Sequence, residues 1–121
     1  MQIFVVQQHH ASHLHWDFRL EFDGVLKSWA VPKEPPKEKN IKRLAIEVEN
    51  HDLDYANFEG EIKEGYGKGT VKIWDKGKFK LIKKSDKEIE FELDGKKLNG
   101  KYVLLKAKLG GEKKNWLLFK V

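Results

Sequence analysis

The sequence predicts a mostly β protein, an antiparallel barrel that is closed or nearly closed and has little helix. Short stretches of alternating apolar and polar residues recur along the chain, separated by Gly, Asn, Asp and Lys. They are rich in β-branched and aromatic side chains, which suit a pleated surface. No segment keeps the helical period over several turns. A length of 121 residues points to one domain over 1–121, large enough to bury a real core.

The elements follow in order. "IFVVQQ", "LHWDFRLEF" and "VLKSWAVP" read as the first three strands. The stretch "PKEPPKEKNIK", Pro32 to Lys42, holds all three prolines and many charges, and it reads as a loop with room for one short helical turn. "RLAIEVEN" is the next strand. "GEIKEGYGKGTV" is glycine-rich but lacks the spacing of a nucleotide P-loop, so it reads as a flexible loop and turn. "GTVKIWDKG" and "KFKLIKKS" form two further strands, with "DKGK" at 75–78 as their hairpin connection. "EIEFELDG", "KYVLLKAKL" and "NWLLFKV" complete the set, the last two joined by "LGGEKKN" at 109–115. About nine short strands at even spacing favour closure into a barrel.

Composition narrows the function. Cysteine is absent, which excludes disulfides and thiolate metal sites and fits a reducing cytoplasm. No apolar run is long enough to span a membrane, and "MQIFVVQQ" lacks the features of a signal peptide. A cytoplasmic monomer without membrane contact is expected. Lys and Arg number 24 against 19 acids, a net charge of +5. That balance favours anionic partners such as nucleic acid, and it also fits a lysine-coated soluble surface.

Four of the five histidines fall in "HHASHLHWDFRLEFDG", His9 to Gly24. Alternate strand residues share a face. His15, Asp17 and Arg19 therefore lie on one side, and Leu14, Trp16, Phe18 and Leu20 on the other. The apolar side belongs in a core. The polar side fits either solvent or a polar barrel interior that holds a site. His15 and Asp17 are roughly 7 Å apart at Cα, close enough to share one metal ion. His9 is the natural third ligand, with the same parity as Val5 and Gln7. Two imidazoles and a carboxylate suit Mn, Fe, Co, Zn or Ni better than Mg or Ca. Solvated histidines are the plain alternative. Arg19 adds a guanidinium, which grips phosphate through paired hydrogen bonds, or else pairs with Asp17 or Glu21. A second cluster, "VENHDLDYANFEG", places His51 among Glu49, Asp52, Asp54 and Tyr55. His51 is either a phosphate contact or proton donor, or a plain loop histidine.

Together "FVVQQHHASHLHWDFRLEFDGVLKSWAVPKEPP", "KRLAIEVENHDLDYANFEGEI", "GYGKGTVKIWDKG" and "GKYVLLKAKLGGEKKNWLLFKV" resemble the 3′-phosphoesterase domain of the bacterial DNA repair enzyme ligase D, over nearly the whole chain. The resemblance implies a stand-alone form of that domain. It implies a metal-dependent enzyme, typically using Mn²⁺, with Co²⁺ or Zn²⁺ as other divalent options. The activity implied is removal of a 3′-terminal ribonucleoside from a primer strand, then of the remaining 3′-phosphate, leaving a 3′-OH for ligation. By motif position, His9, His15 and Asp17 would hold the metal. Arg19 and His51 would meet the phosphate, Glu49 and Tyr55 would support them, and Lys33 and Arg43 would bind substrate. A protonated His51, favoured by Glu49, would be the proton donor. Partners would be a primer–template and a DNA ligase or polymerase. Two rival readings remain on the residues alone: an Fe(II) oxygenase using His15, Asp17 and His51, and a non-catalytic nucleic-acid-binding barrel.

Overall fold

The structure is a computed structural model that describes residues 2–65, 68–107 and 114–121. Its strands are β1 (Gln2–His10), β2 (Leu14–Phe22), β3 (Val25–Val31), β4 (Lys42–Asp52), β5 (Gly60–Ile62), β6 (Gly69–Lys84), β7 (Glu88–Asp94), β8 (Asn99–Lys106) and β9 (Asn115–Lys120). The sheet order is β1-β2-β3-β4-β9-β8-β7-β6, and β6 pairs back onto β1. Eight strands thus close an antiparallel barrel, and β5 flanks it on the free side of β6. The expected barrel with little helix is the observed fold. Among the described residues the one helical segment is a 3₁₀ turn, Leu53–Asn57.

Closure begins with local turn chemistry. Asp23 and Gly24 both have positive φ, 52° and 82°. They make a two-residue hairpin between Phe22 and Val25, which are cross-strand partners. This turn matches the right-handed twist of the strands, and Asp-Gly is well suited to it.

The barrel interior is apolar. Phe4, Val6, Trp16, Phe18, Leu20, Trp29, Phe91 and Tyr102 lie within one buried cluster that spans all eight barrel strands. Phe18 sits at its centre, with ring centroids 5.9 Å from Phe91, 6.4 Å from Phe4 and 6.5 Å from Trp29. This corrects the option of a polar interior. A ring this thin has no room for both the aromatics and a solvated site, so the polar side of β2 faces outward. A smaller apolar cluster lies on that outer face, where Val5, Leu26 and Ala56 pack with Ile3, Leu53, Tyr55 and Ile73. The 3₁₀ turn therefore covers part of the outer wall.

Three local expectations change. The proline-rich stretch forms no helical turn; Pro35 and Pro36 are buried, and the Tyr102 hydroxyl donates to the Pro36 carbonyl at 2.7 Å. Burial pushes the Tyr102 phenol up to about 12, so it stays a proton donor. The glycine-rich stretch contributes strand at both ends, Gly60–Ile62 in β5 and Gly69 onward in β6, while 66–67 lie outside the described residues. So do 109–113 of the last expected hairpin connection.

Finally, "DKGK" is no hairpin: β6 runs through it unbroken. Its first part pairs with β1 and its last part with β7. Asp75 is engaged elsewhere. Its carboxylate is 4% exposed and accepts the backbone N–H groups of Lys76 (3.0 Å), Lys96 (2.9 Å), Lys97 (3.1 Å) and Leu98 (2.9 Å). The acid that looked like a turn residue caps another turn, the one between β7 and β8. At Gly77 a Cβ would lie 2.1 Å from the Asp94 carbonyl oxygen, so only glycine fits.

Asp75→Ala should leave those N–H groups without their acceptor and lower stability by about 3 kcal/mol. Asp75→Asn, which keeps one acceptor oxygen, should lose less. Urea unfolding curves of the three proteins check the order.

Candidate metal and phosphate site

The outer face of β1, β2, β3 and β4 gathers the polar residues. Register explains how. His9 pairs with His15, Gln7 with Asp17 and Val5 with Arg19 across β1–β2. Arg19 pairs with Ser28 across β2–β3. Ser28 then pairs with Val48, while Leu26 pairs with His51, so β4 has one extra residue between them. This bulge shifts the parity of β4 and turns His51 onto the face that carries Arg19.

His9, His15 and Asp17 each offer one ligand atom, all within 4.8 Å of one another. His9 Nδ1 is 3.6 Å from Asp17 Oδ2, and His15 Nε2 is 3.3 Å from Asp17 Oδ1. His15 Nδ1 is 3.2 Å from the His13 carbonyl. With Nδ1–H donating there, Nε2 is the nitrogen turned towards the carboxylate, the usual arrangement behind a metal-bound imidazole. The donor set therefore fits a divalent transition metal. The oxygenase grouping is not formed, because Arg19 stands between Asp17 and His51.

Arg19 is the centre of the cluster and is 3% exposed. Its Nε donates to Gln7 Oε1 at 2.7 Å, and one terminal nitrogen donates to Ser28 Oγ at 2.8 Å and to His51 Nδ1 at 3.1 Å. The other terminal nitrogen is 3.5 Å from Asp17 Oδ2. The guanidinium carbon lies 4.9 Å from the Tyr55 ring centroid. Gln7 also donates to the carbonyls of Tyr55 (2.7 Å) and Phe58 (3.2 Å), tying the 3₁₀ turn to the sheet. The Tyr55 ring lies 4.6 Å from His51 and 5.1 Å from Phe58.

Electrostatics follow from this packing. The hydrogen bond that His15 donates to Asp17 raises the His15 pKa above 6.5, against the opposing pull of burial. Burial alone would raise Asp17, but the His15 hydrogen bond and the Arg19 charge outweigh it and hold the carboxyl low. Burial and the Arg19 charge both lower His51. That corrects the expectation of a protonated His51: its Nδ1 accepts from Arg19, so a neutral ring carries its proton on Nε2. Exposed Glu49 does favour the charged form, as does its backbone carbonyl 3.3 Å from the same Nδ1, but burial and Arg19 outweigh both. Burial also raises Tyr55, which keeps its hydroxyl protonated at neutral pH.

His9, His15, Asp17, Arg19, His51 and Tyr55 thus converge. Among the described residues, no hydrogen bond or ion pair joins Lys33 or Arg43 to them. Lys33 is exposed, and Arg43 Nε donates to the Glu34 carbonyl at 2.8 Å, holding the proline-rich loop. Gln7 and Ser28, both fully buried, are the residues the sequence reading missed. The signal for Gln7 was its parity with His9. Ser28 had only its position as one of two polar residues, beside Lys27, in a strand that is otherwise apolar.

The raised His15 pKa has a sign that can be tested. Metal-free His15 keeps its proton to higher pH than a free imidazole, and a metal must displace that proton. Affinity for a divalent transition metal should therefore climb as pH rises through 6.5 and beyond, and level off once His15 is neutral. Calorimetry at neutral pH in two buffers of different ionisation enthalpy should show proton release on binding, reduced in His15→Asn.

The chain matches the family described as the DNA Ligase D 3'-phosphoesterase domain over residues 7–106. It is 49% identical over 123 residues to the multifunctional non-homologous end joining protein LigD of Pseudomonas aeruginosa, a match covering 97% of this chain and 15% of that protein. The multifunctional non-homologous end joining DNA repair protein LigD of Mycobacterium tuberculosis is 48% identical over 109 residues, covering 86% of this chain and 14% of that protein. The Mycolicibacterium smegmatis LigD is 44% identical over 126 residues, covering 94% and 16%. The chain thus spans a small fraction of the length of these relatives. With a family match over most of its length, the chain belongs to the ligase D 3′-phosphoesterase domain family.

Proposed function

We propose that this chain is a single 3′-phosphoesterase domain that heals DNA 3′ ends in non-homologous end joining. It hydrolyses the ester of a 3′-terminal ribonucleoside on a primer strand, then the remaining 3′-phosphate, and leaves a 3′-OH for a ligase. The observation that carries this reading is the meeting of three metal-capable side chains with a buried, fully oriented arginine on one outer face. Membership in the family supports the same chemistry.

His9, His15 and Asp17 would hold a divalent metal, Mn²⁺ first and Co²⁺ or Zn²⁺ as alternatives, which when bound would polarise a phosphoryl oxygen and lower the pKa of a bound water. Arg19 supplies the fixed positive charge for the phosphoryl oxygens. Because Gln7 and Ser28 already orient it, little reorganisation is needed as charge develops. His51 donates from Nε2 to a phosphate or ester oxygen, and the Tyr55 hydroxyl is a second donor nearby. Glu49 supports this cluster by its negative charge beside His51, while Lys33 and Arg43 lend positive charge along the proline-rich loop. Ser28 is no nucleophile, since its hydroxyl donates to the Leu26 carbonyl at 3.0 Å and accepts from Arg19. With Ser28 so engaged and cysteine absent, water is taken as the attacking group. In the first step the bond from phosphorus to the 5′ oxygen of the terminal nucleoside breaks. In the second the bond from phosphorus to the 3′ oxygen breaks.

A labelled primer–template ending in one ribonucleotide should be converted with Mn²⁺ first to a 3′-phosphate and then to a 3′-OH product. Chelation or Asp17→Ala should abolish both steps. Intact DNA binding with no cleavage in Mn²⁺, Co²⁺ or Zn²⁺ would instead leave a non-catalytic binder. Arg19→Ala should keep the metal, because arginine offers no lone pair, yet lose activity by a factor on the order of 10² or more. Arg19→Lys should recover little. Since His51 is held neutral, His51→Ala should slow the reaction without shifting the alkaline limb of the pH–rate profile.

A further inference from the structure

A second basic feature lies next in sequence to the buried residues Pro36 and Leu98. Trp74 is the extra residue of β6 where its pairing with β1 shifts between Val6 and Gln7. It packs against the main core while remaining half-buried. Two ammonium groups stand over its indole, Lys97 Nζ at 4.6 Å and Lys37 Nζ at 5.5 Å from the ring centroid. Neither lysine hangs from a loose loop. The turn that carries Lys97 is fixed by the Asp75 carboxylate, and Lys37 follows Pro36, whose carbonyl accepts from Tyr102. Lys120 Nζ joins them, 3.4 Å from the Lys37 carbonyl. The acids of the proline-rich loop are Glu34 and Glu38, both exposed; Glu34 pairs with Lys37 at 3.2 Å in an exposed contact of the kind that solvent weakens.

We propose that Lys37 and Lys97, held by Trp74, form a seat for the phosphodiester backbone of the substrate strand, away from its reacting 3′ end. The proposal rests on the reading of the chain as an enzyme acting on DNA. Its physical basis is preorganisation. Two like charges are held near one ring, Lys97 makes no ion pair among the described residues, and a bridging phosphate relieves their repulsion. Trp74 follows Ile73, the β6 partner of Gln7, which pairs in turn with Asp17, so the backbones are two strand spacings of about 5 Å apart. Asp17 is on the outer face and the Trp74 ring on the core side, so a bound strand would reach the seat by passing round the barrel wall. Contacts of this kind carry no base information and lose strength with salt.

The test compares wild type with Lys37→Gln/Lys97→Gln, which keeps the side-chain stems, and with Trp74→Phe. Binding is measured to a primer–template across a salt series, beside hydrolysis of a 3′-phosphorylated mononucleotide. The double variant should bind DNA about tenfold more weakly, and its salt slope should fall by about two. Its kcat/KM on the mononucleotide should match wild type. Trp74 also supplies a built-in probe, because Trp16, Trp29 and Trp116 are buried at 8%, 0% and 2% exposure. DNA should change the tryptophan emission of wild type and leave that of Trp74→Phe unchanged. If wild type neither binds nor cleaves DNA, the enzymatic reading fails and the seat falls with it. If wild type does both, and the double variant equals it in affinity and salt slope, the seat alone is overturned.

Discussion

The buried guanidinium of Arg19 sets the conditions for the rest of the outer face. A charge removed from water must have its donors met, or it destabilises the fold by several kcal/mol. Gln7, Ser28, His51 and Asp17 meet them, and they come from four different strands. The same hydrogen bonds explain why His51 is held neutral, why the 3₁₀ turn is tied to β1 through Gln7, and why Asp17 keeps its charge beside two imidazoles. One side chain thus couples the metal-capable triad to the phosphate-facing pair.

The barrel was legible in the sequence because its signal is local. Alternation in "LHWDFRLEF", the Asp-Gly turn and the absence of helical period each act over a few residues, and all agree. The triad was legible for the same reason: His15 and Asp17 are two apart on one strand, and His9 is their nearest neighbour across a short connection. The resemblance to ligase D domains was carried by these same stretches. What escaped depends on contacts distant in sequence. Asp75 looked like a turn residue, because nothing local says that its carboxylate caps residues 96–98. Gln7 and Ser28 looked like ordinary strand polars, because their role exists only once Arg19 is buried between them. The charge state of His51 was misjudged because the nearby acids in sequence, Glu49 foremost, point to solvent, whereas the cation Arg19 comes from 32 residues away.

The site borrows rigidity from the core without sharing its chemistry. Phe18, at the centre of the aromatic cluster, lies between Asp17 and Arg19 on the same strand. Its packing fixes the backbone from which both charged groups project, so their geometry is set by the tightest part of the molecule. The bulge in β4 does the complementary work on the other side, since it lets a strand whose early residues face the core finish by turning His51 outward.

That alternation restricts how such a protein can change over generations. On β2 a substitution at Asp17 or Arg19 acts first on chemistry, and one at Phe18 first on stability. A single inserted or deleted residue there would do both at once, pushing charges into the aromatic interior and phenyl rings into water. Variation in length is thus confined to connections and bulges, and a new specificity on this wall has to arrive by replacing letters.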